Sequence, residues 1–132
     1  MMQTVIEHFS TTRNGIAQAI FGMLPVPLSD VPFHHDTPAI TRYFAEAFPY
    51  HVAVHEVSDV VSPPREYTNA HVHHDCNEIN LIISPGKLIY RVELNGEARQ
   101  AESNSSIWIP RGTVHSANVL QGSGYFITIR IA

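Results

Sequence analysis

The stretch His71-Val72-His73-His74-Asp75-Cys76-Asn77-Glu78 sets two alternating imidazoles and a carboxylate close together, and its reading decides the fold. On an extended strand, alternate side chains share a face and stand roughly 6.5 to 7 Å apart along the chain. That separation lets His71 and His73 converge on one ion, whereas His74 has the opposite parity and is expected to face outward or sit in the turn. His74-Asp75-Cys76-Asn77 reads as a hairpin loop, after which Glu78 opens the neighbouring strand opposite His73. His115 follows the tight turn Pro110-Arg111-Gly112 and enters from a distant strand. Three neutral nitrogens and one anionic oxygen suit Mn, Fe, Co, Ni or Zn far better than Ca or Mg.

Outward from this stretch the pattern is β. Short strands are expected over 51–57, 66–73, 78–84, 87–94, 97–102, 106–109, 114–120 and 125–131. Pro85-Gly86 separates two of them, Asn95-Gly96 is a strong type I′ hairpin signal, and Gly122-Ser123-Gly124 reads as the last turn. Eight strands at this spacing argue for a sandwich or barrel, with a jelly roll as the natural solution. Before residue 49 the texture differs. Pro25, Pro27, Pro32, Pro38 and Pro49 punctuate it, a short helix is expected over 14–24, and Thr37-Pro38 reads as the start of a second helix running to Ala47. The chain thus divides into an extension over 1–48, partly helical, and an all-β domain over 49–132. Val5, Ile6, Ile16, Ile20, Phe21 and Leu24 are suited to covering an open sheet edge or to forming the contacts of a homodimer.

These residues also carry a family resemblance. The segment from His71 to Glu78, followed by Pro85-Gly86, resembles the first cupin motif. Pro110-Arg111-Gly112-Thr113-Val114-His115 resembles the second. The resemblance covers residues 50–132 and implies a jelly-roll β-barrel with one divalent transition metal (Fe, Mn, Ni or Zn) held inside by His71, His73, Glu78 and His115. Three departures concern turns: the glycine after Glu78 comes one residue late, Asn104 stands in place of a glycine, and Asn118 lies one position early.

Composition narrows the function classes. The 132 residues fit one domain, and 44% apolar content supports a core without staples. With 15% charged residues, a net charge of -4 and no basic run, there is no footprint for nucleic acid or an anionic membrane surface. Cys76 is the single cysteine and in a polar loop reads as a bystander thiol. The apolar stretch over 16–28 is too short and too interrupted to span a bilayer, and a cytoplasmic protein is the default expectation. No nucleotide-binding glycine loop or nucleophile elbow is present, so the metal is the source of chemistry.

Parity nominates further pocket residues: Tyr67 and Asn69 with His71 and His73, and Asn80 and Ile82 with Glu78. Glu78, Asn80 and Tyr67 are the candidate catalytic groups. His51 and His55 line either the mouth or an exposed sheet face. Arg91 and Arg130 read as outer-surface residues with substrate binding as the alternative, His34-His35-Asp36 as a polar loop with closure over the barrel mouth as the alternative, and Trp108 as a core residue. The expectation is a metal-dependent enzyme acting on a small oxygenated organic molecule, with dioxygenase-type chemistry leading. The alternatives are a redox-neutral lyase, isomerase or cyclase, and a module that senses a small molecule. The β region also resembles the sugar-sensing domain of AraC-type regulators, but room and charge for their helix-turn-helix domains are lacking.

Overall fold

The computed structural model describes residues 18–132. They form β1 (Leu24–Val26), a single 3-10 turn (Leu28–Asp30), β2 (Ile40–Phe44), β3 (Val52–Val60), β4 (Asn77–Ile83), β5 (Leu88–Leu94), β6 (Glu97–Glu102), β7 (Ser105–Ile109) and β8 (His115–Ile131). The sheet order is β1-β2-β3-β8-β4-β7, with β5 pairing both β8 and β6. The topology is jelly-roll-like, as expected, but among the described residues no ladder joins its outer strands, so the sheet is not a strictly closed barrel.

Register shows why the side chains divide as they do. Across β2, β3, β8 and β4 the pairings align Arg42 with His55, Phe126 and Ile82, and Phe44 with Ala53, Thr128 and Asn80. One step further, Arg130 stands opposite Glu78 and donates its backbone N–H to the His51 carbonyl. These rows have one parity on each strand and face inward. At one end the interior is apolar, built from Ile82, Leu88, Tyr90, Val119 and Phe126. At the other it is lined by Arg42, His51, Glu78, Asn80 and Arg130. Trp108 belongs to the outward parity of β7 and is 54% exposed, which corrects its assignment to the core.

Several expectations fail for identifiable reasons. No second helix runs from Thr37 to Ala47. Ile40-Thr41-Arg42-Tyr43-Phe44 is rich in β-branched and aromatic residues, and it pairs with β1 on one side and β3 on the other. The helix over 14–24 lies partly outside the described residues, and Leu24–Val26 is a strand. The segment over 66–73 is extended but bridges its neighbours only at Thr68 and His71. Val5, Ile6 and Ile16 lie outside the described residues, while Ile20 and Leu24 are exposed. The expected turn at Gly122-Ser123-Gly124 is instead the interior of one long strand. Residues 115–122 of β8 pair with β5, and residues 122–131 pair with β3 and β4.

The glycines make that continuity possible. Gly122 has φ +108° and Gly124 φ +151°. A Cβ at Gly122 would overlap the Lys87 carbonyl, and one at Gly124 the Ile83 carbonyl. Asn95 and Gly96 do have the positive φ of the expected hairpin, 50° and 82°. Gly122→Ala is expected to lose about 2–4 kcal/mol, since strain and overlap with backbone combine. Gly96→Ala meets open space and should lose about 1–2 kcal/mol. Denaturant midpoints of the two variants check the order, which reverses if the strand can bend without glycine.

Candidate metal centre

His71 and His115 are locked together by their backbones. The His71 N–H donates to the His115 carbonyl at 3.0 Å, and the His115 N–H donates to the His71 carbonyl at 2.8 Å. An antiparallel pair of this kind presents both side chains on one face, and the two rings lie 4.4 Å apart. His73 is fixed differently: its carbonyl accepts the Gly112 N–H at 2.7 Å, tying it to the Pro110-Arg111-Gly112 turn. The same turn is held by Asn77, whose Oδ1 accepts the Arg111 N–H at 2.9 Å.

The tautomers follow from the partners. His71 Nδ1 lies 2.8 Å from the Asn69 carbonyl and His115 Nδ1 2.9 Å from the Thr113 carbonyl. A carbonyl only accepts, so each Nδ1 carries the proton and each Nε2 is left with a free lone pair. One donor atom from each of His71, His73 and His115 lies within 4.8 Å of the others. Glu78 reaches the same point, its Oε1 3.6 Å from His73 Nε2 and its Oε2 3.6 Å from His115 Nε2. The Nε2 atoms of His73 and His115 are buried and have no hydrogen-bond partner. Buried polar atoms are rarely left so. Lone pairs converging beside a carboxylate fit a divalent transition metal, so the donor set suits the group that the resemblance implies. The His71 and His73 imidazoles titrate below the ordinary range, chiefly through burial, and His73 is lowered to about 4. Both are neutral, and competent to donate, at physiological pH.

His74 is exposed and stands apart, in keeping with its parity. Asp75 and Cys76 form a second group with His73. Burial raises the Cys76 thiol, however, which keeps it protonated and a poor ligand.

Around the cluster, Asn80 donates from Nδ2 to Glu78 Oε2 at 2.9 Å, orienting that carboxylate. Tyr67 is buried and donates its hydroxyl to Tyr90 at 3.1 Å, with His55 Nδ1 3.5 Å away. Burial raises the Tyr67 phenol further, so it acts as a hydrogen-bonding group and not as a base. Asn69, nominated by parity, is exposed and contributes its carbonyl alone.

Sequence reasoning undervalued several neighbours. Arg130 faces inward, its Nε 3.7 Å from Glu78 Oε1. Arg91 does lie outward, 3.5 Å from Glu93. His51 and His55 both face the interior, and His34 packs against His71 at 5.7 Å between ring centroids, so its loop covers the site. Phe33 stacks on His71 at 5.4 Å and 3°. Asn118, noted only for its offset, accepts the Tyr67 and Thr68 N–H groups at 2.8 and 2.9 Å and donates to the Thr68 carbonyl at 3.0 Å. It replaces a ladder for the segment that carries His71. A small inner pocket of about 40 Å³ touches His71, Glu78 and His115. It opens toward an outer one of about 650 Å³ that shares Val31, Arg42, His51, His71 and Arg130 with it.

The fold is that of a cupin. No protein-family model matches the chain, and no curated protein matches it in sequence. Among solved structures it is similar to KdgF from a Halomonas species, with a TM-score of 0.53 and 18% identity over 77% of this chain and 88% of that one. It is similar to an RmlC-like cupin from Shewanella frigidimarina, with a TM-score of 0.52 and 12% identity over 79% and 86%. It is also similar to a predicted oxalate decarboxylase from Thermotoga maritima, with a TM-score of 0.56 and 13% identity over 84% and 92%. Among the described residues no helix is long and apolar enough to cross a membrane.

The buried histidines make stability depend on pH. His55 is lowered to about 3 and His51 to about 4, in both cases chiefly by burial. Unfolding restores the ordinary value near 6.5, so below that pH the unfolded chain binds more protons than the folded one. Stability of the metal-free protein is therefore expected to be flat with respect to these groups above pH 6.5, and to fall as pH drops from 6.5 toward 3. Denaturant midpoints across that window check it, and His55→Phe should flatten the slope. An unchanged slope in that variant would remove His55 from the account.

Proposed function

We propose that the chain is a metal-dependent cupin enzyme that carries out redox-neutral chemistry, of the lyase, isomerase or cyclase kind, on a small oxygenated organic molecule. The observation that carries this reading is the convergence of the His71, His73 and His115 imidazoles beside Glu78 at the base of a polar pocket. In it these four residues are the ligands, and a bound divalent ion would supply Lewis-acid polarisation of a substrate oxygen. Asn80 holds Glu78 in place, and the Nδ1 hydrogen bonds of His71 and His115 hold their rings.

Dioxygenase-type chemistry, favoured by the sequence, has less behind it. The groups around the cluster are Arg130, Asn80, Thr128, His34 and His51. Those groups match a substrate bearing oxygen atoms and charge. The likeness to a predicted oxalate decarboxylase is what favours the redox-neutral kind. A divalent ion with three neutral imidazoles and one carboxylate also leaves a local charge of about +1, which attracts anionic chelators.

The ligand assignment predicts that His73→Ala strips most of the metal, while His74→Ala retains it. Elemental analysis of the purified variants decides this, and the opposite pattern would shift the register by one residue.

For the reaction, small α-hydroxy and α-keto acids are expected to perturb the spectrum of the metal-loaded protein. Turnover of a converted acid should consume no oxygen. Glu78→Ala should lower that turnover beyond the roughly 100-fold typical of losing an outer-sphere partner, with the fold retained by circular dichroism. Stoichiometric oxygen uptake would restore the dioxygenase reading, and binding without conversion across the acids would favour a sensing module.

A further inference from the structure

Arg42 is 6% exposed, the most buried arginine or lysine among the described residues, yet no hydrogen bond or ion pair holds its guanidinium. Its close neighbour is the Phe44 ring, 4.6 Å from the guanidinium carbon. Asp30 and Glu46 line the outer pocket with it, but neither lies within ion-pair distance. The guanidinium nitrogens keep some contact with solvent, yet drawing a cation this far inward without an anionic partner has a cost that an anion entering the pocket would offset. The aromatic face offsets part of that cost and does not neutralise the charge.

A second guanidinium faces the same space. The buried Arg130 Nε has no hydrogen-bond partner, and at 3.7 Å its approach to Glu78 is too long to be one. Arg42 and Arg130 line both the inner and the outer pocket, and Arg42's affinity for its proton is lowered chiefly by burial and then by the Arg130 charge, with Asp30 opposing. His51 and His55 beside them are neutral, so the positive charge rests on the two arginines. The acid facing them in the inner pocket is Glu78, already bonded to Asn80 and turned to the histidines.

We infer that Arg42 and Arg130 form a carboxylate-binding subsite beside the histidine cluster. The substrate is then a small acid with a second carboxylate, remote from the oxygens that meet the cluster. A guanidinium fork takes a carboxylate through two parallel hydrogen bonds, which accounts for arginine at this position. Leu24, Val26, Phe33 and Phe44 on the outer pocket's wall give the carbon skeleton an apolar surface. The inference deepens the proposed function and rests on it for the chelating end of the substrate.

Malate and lactate test it, because they share an α-hydroxy-acid head and differ by the distal carboxylate. Calorimetric titration of the metal-loaded protein is expected to show malate binding about tenfold or more tightly than lactate. Arg42→Gln should bring malate to the level of lactate, leaving lactate affinity and metal content unchanged. Arg42→Lys keeps the charge but loses the fork, so it should lose part of the preference, and it serves if the glutamine variant does not fold. Equal affinities in the wild type, or a full malate preference in either variant, overturns the subsite. Titration of metal-stripped protein separates the two readings. Weak, Arg42-dependent malate binding by a chain that never takes up metal would sink the enzyme and keep the subsite. A metal-loaded chain indifferent to the distal carboxylate would do the reverse.

Discussion

Two reciprocal backbone hydrogen bonds between His71 and His115 set the geometry on which the rest of the site depends. They join residues 44 positions apart in sequence, and they do so where no regular ladder exists, since the segment over 66–73 forms only isolated bridges and scattered hydrogen bonds with its neighbours. Each ring is then oriented by a hydrogen bond to a carbonyl two residues before it. Backbone thus sets both where the ring is and which nitrogen is free, and no acidic side chain is needed to select the tautomer. Asn118 completes the arrangement by giving Tyr67 and Thr68 the partners that a sheet would have given.

β8 carries this local order into the whole fold. Its first half brings His115 to the cluster against β5, and its second half brings Thr128 and Arg130 to the same pocket between β3 and β4. A turn at Gly122 would have ended one strand and begun another. The glycines instead allow the backbones of residues 83 and 87 to press against a continuous strand. One continuous strand therefore spans the histidine cluster and the arginine beside it. The interior is divided along its length: Tyr90, Leu88 and Val119 fill the apolar end, and the charged groups gather where the pocket opens.

The cluster was legible in the sequence because its signal is parity and spacing, which survive without knowledge of tertiary contacts. His71, His73, Glu78 and His115 meet as the alternation and the second turn suggested, and His74 points away. What misled were signals that local chemistry leaves ambiguous. Thr37-Pro38 has the composition of a helix start, but pairing with two neighbours outweighs a cap worth about 1 kcal/mol. Gly122-Ser123-Gly124 has turn composition, and its glycines serve close approach instead of reversal. Arg130 and Trp108 were assigned by residue type. Register would have served better, since Arg130 pairs with Glu78 and Trp108 with Ile79, which places them on opposite faces.

The resemblance to known motifs begins at residue 50, and residue pattern alone reads the first third of the chain as cover. The described part of that third instead supplies much of the pocket wall. β2 contributes Arg42, the loop after the 3-10 turn contributes Phe33 and His34, and β1 contributes Leu24 and Val26. These residues line the pockets without joining the histidine cluster. The geometry divides the chain: residues 71–115 bring the histidine cluster and Glu78 together, and residues 24–44 wall the pocket that leads to it. Motif matching detects the first because ligand spacing is constrained by the ion. It misses the second because a pocket wall is constrained only by the molecule it fits.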